Sequence, residues 1–160
     1  MTVLTVNPAQ SASPVAPQAV LAILQDCPLR SSQARWPAKG DVRRAAIAGT
    51  DLYLVRCAAS ATEDFTALVT LTGGKATRQG FPQFVGGKIV KDDHDRTMGA
   101  LTWQTKSQRL TGRFSAGCSG AIGTSFAYRW TGEALALVEQ RSSGDCLTPV
   151  WKTEFREAHR

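Results

Sequence analysis

Four cysteines are the residues of this sequence that could most directly do chemistry, as metal ligands, nucleophiles or disulfide partners. They are Cys27, Cys57, Cys118 and Cys146. No two of them form a Cys-x-x-Cys pair, which argues against a zinc ribbon or a thioredoxin-type motif. An even number of widely separated cysteines instead predicts two disulfides and therefore an oxidising compartment.

The segment Gly117-Cys118-Ser119-Gly120 could present a nucleophilic thiol on a tight turn. A reactive cysteine needs an electropositive setting that lowers the pKa of its thiol, and no neighbour in the sequence clearly supplies one. We therefore expect Cys118 to be half of a disulfide rather than a catalytic residue.

The acidic loop at residues 92–95, with sequence DDHD, could bind a divalent cation. An EF-hand requires ligands at alternate positions, a fixed glycine and a distant glutamate, and the loop fits neither spacing. The flanking cations Lys91 and Arg96 screen the carboxylates. We expect a solvated loop and predict no metal site.

Catalytic motifs are not found in the sequence. His94 is the one plausible general base for a Ser/His/Asp or Cys/His arrangement, because His159 stands next to the C-terminal residue. The patterns G-x-S-x-G, Walker A, G-x-G-x-x-G and H-E-x-x-H do not occur. The expectation is a protein that is not an enzyme and needs no cofactor.

The net charge of +6 and the pI of about 9.5 favour anionic partners, namely an acidic protein, an anionic glycan or an anionic lipid headgroup. Nucleic acid is not expected among them. The basic residues are scattered and never form a run longer than two. That scattering is more typical of a solvated surface than of a dedicated anion groove.

The N-terminal residues 1–13 are small, polar and proline-containing, which predicts a flexible tail before a single domain over residues 14–160. The tail lacks the basic and apolar regions of a signal peptide, although its composition is typical of the stretch after a removed leader. We therefore expect a periplasmic or secreted protein whose leader is absent from this sequence. No apolar run approaches the length needed to span a bilayer.

A helix is predicted over residues 15–26, because apolar residues recur there at helical spacing before Pro28. The stripe consists of Val20, Ile23, Leu24 and Cys27. From residue 41 onward, short apolar runs alternate with turn residues at intervals of about ten. The turn pairs are Gly49-Thr50, Gly73-Gly74, Gly86-Gly87 and Thr131-Gly132. This pattern predicts a mainly β protein: an antiparallel meander that forms a twisted sheet, a sandwich or a partly closed barrel, with one short N-terminal helix.

An aromatic row, Phe126, Tyr128 and Trp130, alternates along one predicted strand and therefore shares a face. Core packing is the expected role, and the alternative is an exposed platform that stacks against sugar or base rings. The outward candidates for contact with a partner are Arg129, Glu133 of the turn and Asp145.

The order of these features resembles the C-terminal half of the bacterial domain-of-unknown-function family 1176. The resemblance covers about 110 residues and begins at the strand that ends in Cys57. It is strongest at Gly117-Cys118-Ser119-Gly120, Tyr128-Arg129-Trp130-Thr131-Gly132, Leu135-Ala136-Leu137-Val138-Glu139, Cys146 and Trp151. The chain departs from the family at Arg56, where the family usually has proline.

Members of that family are typically exported, so the resemblance implies oxidised cysteines, and it supplies no catalytic residues. Among the three connectivities that four cysteines allow, we predict Cys118–Cys146 and Cys27–Cys57. The first would close the base of the aromatic hairpin. The second would attach the N-terminal helix to the first long strand.

The leading functional hypothesis is an exported, non-catalytic module that binds a protein, as an inhibitor or immunity protein against an acidic envelope enzyme or toxin. The alternative is binding of an anionic glycan or lipid headgroup by aromatic and basic residues. Those residues are Trp103, Lys106, Arg109, Arg129 and Trp130. A hydrolase that uses residues 92–95 is the third and least favoured hypothesis.

Overall fold

The computed structural model describes residues 15–91 and 97–158, and in these ranges it contains two short helices, twelve strands and one 3₁₀ turn. The helices are α1 (Gln18–Ala22) and α2 (Pro28–Ser32), and the 3₁₀ turn is Cys118–Gly120. The strands are β1 (Val42–Ile47), β2 (Thr50–Ala59), β3 (Asp64–Thr72), β4 (Lys75–Arg78), β5 (Gln83–Val85), β6 (Lys88–Val90), β7 (Thr97–Gly99), β8 (Thr102–Gln104), β9 (Arg109–Gly117), β10 (Ile122–Trp130), β11 (Leu135–Ser143) and β12 (Lys152–Arg156). The predicted tail at residues 1–13 lies outside the described residues.

The N-terminal helical region differs from the predicted single helix over residues 15–26. It consists of the two separate five-residue helices α1 and α2. Proline has no N–H group and a fixed φ, so it suits the first position of a helix. Pro28 accordingly begins α2, although the sequence predicts that it stops a helix. Ile23, which was predicted to lie on the buried stripe, is 36% exposed. Neither helix has the length or apolar character needed to cross a membrane.

Two antiparallel sheets account for most of the strands. The first has the order β1-β2-β3-β4 with β7 beside β3, and the second has the order β12-β11-β10-β9-β8. The strands β5 and β6 form a separate hairpin. The predicted glycine turns are confirmed at Gly73-Gly74 and Gly86-Gly87, where both residues of each two-residue loop have positive φ. The prediction of a mainly β, antiparallel fold is confirmed.

Each sheet contributes to a hydrophobic core. One core joins the two sheets and contains Leu52, Leu54 and Leu68 of the first sheet with Leu110, Phe126, Tyr128 and Leu137 of the second. The opposite face of the first sheet forms a second core with the helical region, through Val20 and Leu24 against Val55 and Val69. The first sheet is therefore buried on both faces, whereas the second sheet has one face in the core.

The aromatic row occupies the core, as predicted. Phe126 and Tyr128 are 4% and 0% exposed, and their rings stack with centroids 6.0 Å apart. Trp130 is partly buried and packs against the same cluster. A β-bulge opposite the Ala127–Tyr128 step adds one residue, Val138, to β11. Glu139 therefore pairs with Ala127, and Leu137 pairs with Tyr128 on the side that faces the core.

Both predicted disulfides are present. Cys27 and Cys57 are 1% and 2% exposed and join the start of α2 to β2. Cys118 and Cys146 join the 3₁₀ turn after β9 to the loop after β11, at an exposed end of the second sheet. Cys118 is thus a disulfide partner, as expected. One bridge attaches the helical region to the first sheet, and the other joins two loops of the second sheet.

Candidate anion-binding face

The outer face of the second sheet carries a group of five arginines. Side chains alternate between the two faces of a strand, so the residues between the core-facing positions point outward. Cross-strand register places the following residues on the outer face: Arg109, Thr111 and Arg113 of β9, Ser125, Ala127 and Arg129 of β10, Glu139 and Arg141 of β11, and Thr153 and Arg156 of β12. None of these ten residues is buried. We call this surface the arginine face.

Ion pairs occupy the part of the arginine face nearest the β10–β11 turn. Arg129 Nη2 lies 2.9 Å from Glu157 Oε1. Arg156 donates to Glu139 Oε2 through Nε at 2.8 Å and lies 2.6 Å from it through Nη2. Five guanidinium groups against these two carboxylates leave a charge of +3, which is half of the net charge of the chain. The arginine face therefore has a net positive charge, which favours anionic partners.

Farther from that turn, the arginine face contains two cations without a carboxylate partner among the described residues. Arg113 and Arg141 are both register partners of Ser125, one on each neighbouring strand. Since adjacent strands lie about 4.8 Å apart, the backbones of the two arginines are about 10 Å apart. Neither forms an ion pair with any residue in the ranges 15–91 and 97–158. A surface cleft of about 350 Å³ lies here, lined by Thr111, Arg113, Ser125, Ala127, Glu139 and Arg141 among others.

Trp151 orients both of these arginines. The guanidinium carbon of Arg113 lies 4.9 Å from the centroid of the Trp151 ring. Arg141 donates from Nη2 to the carbonyl oxygen of Trp151 at 3.2 Å. The cation–π contact and the hydrogen bond reduce the freedom of two long side chains, so the guanidinium groups are organised before any partner binds.

The sequence-predicted binding residues are divided between the two faces and the ends of this sheet. Arg109 and Arg129 are register partners on the arginine face. Trp103 and Trp130 lie on the opposite side and pack against the core, so the four residues do not share a surface. Lys106 lies in the exposed turn between β8 and β9.

The two acidic candidates lie at opposite ends of the second sheet. Glu133 is exposed in the turn between β10 and β11. Asp145 follows β11 beside the disulfide, where its carboxylate accepts hydrogen bonds from Thr148 Oγ1 and from the backbone N–H groups of Leu147 and Thr148. These bonds lower the pKa of Asp145. Its carboxylate therefore organises the loop around Cys146.

The sequence reasoning missed the residues around Ser125. Arg113 and Arg141 were not among the predicted binding residues, and Trp151 was named only as part of the family resemblance. The period-two spacing Arg109, Thr111, Arg113 could have placed the β9 residues on one face. The placement of Arg113 and Arg141 on either side of Ser125 depends on strand order and register. The spacing of residues along one strand does not determine these.

A second charged cluster lies at the edge of the first sheet. The guanidinium of Arg56 contacts Asp64 at 2.9 Å and Asp41 at 3.5 Å, and hydrogen bonding to Asp64 is the main cause of its raised pKa. Arg43 donates to the carbonyl oxygen of Leu101 at 2.6 Å, and partial burial lowers its pKa. These cations have partners within the protein, so the cluster is better suited to joining segments of the fold than to binding a ligand.

The predicted solvated loop at residues 92–95 and His159 lie outside the described residues. In the part of the chain that the structure describes, no group of three histidine, cysteine or acidic side chains could hold a metal ion. Comparison of the chain with protein-family models, with curated proteins and with solved structures finds no match.

Proposed function

We propose that this protein is an exported, non-catalytic β module that binds an acidic protein through the arginine face. The observation that carries the proposal is the pair Arg113 and Arg141, which flank Ser125 without a carboxylate partner among the described residues. Guanidinium groups form bidentate, charge-assisted hydrogen bonds with carboxylates. An acidic partner would supply the negative charge that Arg113 and Arg141 lack among the described residues.

A protein partner suits this surface better than a ligand that stacks on aromatic rings. Trp103 and Trp130 pack against the core, and one side of the Trp151 ring is in contact with Arg113. A rigid face with a net positive charge increases the rate of encounter with a complementary protein surface. The alternative partner, an anionic glycan or lipid headgroup, is therefore an outcome of the test.

Inhibition or neutralisation of an envelope enzyme or toxin is the role that such binding would serve. A rigid module with two disulfides loses little conformational freedom when it binds. Disulfides persist in the periplasm and outside the cell, where such an enzyme acts. The resemblance to family 1176, whose members are typically exported, agrees with that compartment.

The test is capture of proteins from a bacterial envelope fraction on the immobilised, oxidised protein. The variant Arg113→Glu/Arg141→Glu reverses two charges on the arginine face. The control variant Arg44→Glu/Lys75→Glu makes the same change of charge at exposed residues of the first sheet. We expect the wild type and the control variant to retain an acidic protein that the Arg113→Glu/Arg141→Glu variant does not retain. The activity of that acidic protein should fall when the wild type is added.

Two outcomes would contradict the proposal. Equal retention of the acidic protein by all three forms would mean that the arginine face is not the binding surface. Retention of only an anionic glycan or lipid would identify the alternative class of partner.

A further inference from the structure

The guanidinium groups of Arg113 and Arg141 retain free donors although Trp151 contacts both. A ring that stacks on the flat side of a guanidinium leaves the N–H groups in the guanidinium plane available. Arg141 uses one of its five N–H donors on the Trp151 carbonyl oxygen. The Nε atoms of both arginines are buried and have no hydrogen-bond acceptor among the described residues. Because these two Nε atoms have almost no contact with solvent, a bound oxyanion would be held by the terminal Nη groups.

The space between the two arginines fits a single anionic group. Ser125 lies between them in register, and its small side chain leaves room while its hydroxyl can donate a further hydrogen bond. The cleft of about 350 Å³ at this place is larger than one carboxylate, so it admits the side chain that carries it. Donors would thus approach one oxyanion from both sides and from below.

The part of the same face nearer the β10–β11 turn already holds carboxylates of the chain itself. The Glu139 carboxylate accepts two contacts from Arg156, at 2.8 and 2.6 Å, and Glu157 pairs with Arg129 at 2.9 Å. The surface therefore accommodates guanidinium–carboxylate pairs. Because Glu139 is engaged by Arg156, its charge is offset and opposes a second carboxylate over Ser125 less strongly.

We infer that Arg113, Arg141 and Ser125 form a carboxylate-binding subsite, oriented by Trp151, that takes a glutamate or aspartate side chain of the partner protein. The inference rests on the proposed function and deepens it by naming the chemical group that the face recognises. Arg113 and Arg141 would supply forked N–H donors, and Trp151 acts as a positioning residue. A lysine ammonium carries the same charge but provides neither the fork nor the stacked plane.

The test is titration of the isotope-labelled, oxidised protein with a short poly-L-glutamate peptide at low ionic strength. The Nε–H signals of the arginines are followed by NMR. We expect the signals of Arg113 and Arg141 to shift together and to saturate, while that of Arg44, on the first sheet, stays in place. Equal shifts at all exposed arginines would overturn the inference, because they would indicate diffuse attraction without a subsite.

Charge-conserving variants provide the second measurement. We expect Arg113→Lys and Arg141→Lys each to weaken binding of the peptide about tenfold, because each loses charge-assisted hydrogen bonds but no charge. Trp151→Ala, which leaves the charge unchanged, is expected to weaken it similarly. The control Arg35→Lys, at an exposed residue before β1 and outside the arginine face, should change the affinity less than about twofold.

Wild-type affinity for the peptide in both Arg113→Lys and Arg141→Lys would overturn the subsite. Binding of heparin without binding of the glutamate peptide would also overturn it. Either failure can be told apart from failure of the proposed function. Capture from the envelope fraction and its charge-reversal variants test that function without reference to the lysine variants.

Discussion

The guanidinium group of Arg113 lies over the ring of Trp151, with 4.9 Å between its central carbon and the ring centroid. Arg113 belongs to β9, whereas Trp151 immediately precedes β12, and β10 and β11 separate these strands in the sheet. The contact therefore spans the width of the arginine face. It links the segment before β12 to the strand that carries Arg113.

Replacement of Trp151 by alanine should destabilise the fold moderately. The variant loses the cation–π contact and the packing of a half-buried ring, so we expect the free energy of unfolding to fall by about 1–2 kcal/mol. Trp151→Phe keeps an aromatic face beneath Arg113 and should lose less than half of that. Urea unfolding followed by far-UV circular dichroism measures both. Equal losses in the two variants would mean that ring stacking does not contribute.

Removal of the Tyr128 hydroxyl should not destabilise the protein. Tyr128 is 0% exposed, and its Oη has no hydrogen-bond partner among the described residues. A buried hydroxyl without a partner costs about 1–3 kcal/mol, so Tyr128→Phe should be neutral or stabilising in urea unfolding. Tyr128→Ala, which removes the ring, should lose about 3–5 kcal/mol and serves as the contrast. A loss above about 1 kcal/mol in the phenylalanine variant would reveal a partner for the hydroxyl.

The burial of Tyr128 should also make the folded protein less stable at alkaline pH. Burial raises the pKa of Tyr128 well above its ordinary value of 10.0, so the folded state keeps the proton that the unfolded state releases. Its contribution is fully present below pH 10 and is lost as the pH rises above it, by about 1.4 kcal/mol per pH unit. The stability of Tyr128→Phe should therefore rise relative to wild type between about pH 9 and 11. A constant difference over that range would contradict the assignment.

The two disulfides should differ in their resistance to reduction. Both close loops of similar length, with separations of 30 and 28 residues, so each should stabilise the fold by about 3–4 kcal/mol in the chain-entropy model. Cys27 and Cys57 are buried, whereas Cys118 and Cys146 are exposed to attack by a thiolate. We expect graded dithiothreitol to reduce Cys118–Cys146 first, as measured by alkylation and peptide mass spectrometry. Earlier reduction of Cys27–Cys57 would contradict this order.

The sequence predicts the hairpins and the core well because those features depend on local patterns. Gly73-Gly74 favours a two-residue turn by its backbone freedom, and the alternation at Phe126 and Tyr128 identifies a buried face. The arginine face could not be predicted in the same way. Whether Arg113 and Arg141 lie on either side of the same residue, Ser125, depends on which strands are neighbours and on their register. The predicted helix over residues 15–26 was too long: α1 starts after Pro17 but ends at Ala22, and Pro28 starts the separate helix α2.

The most direct test of the central claim is the rate of association with the acidic protein captured from the envelope fraction, measured by stopped flow at increasing ionic strength. We predict that the rate for the wild type falls steeply with salt, because the charge of the arginine face steers the encounter. Arg44→Glu should keep most of that dependence, whereas Arg141→Glu, with the same change in net charge, should lose most of it. Equal salt dependence in the two variants, or a wild-type rate indifferent to salt, would contradict recognition through the arginine face.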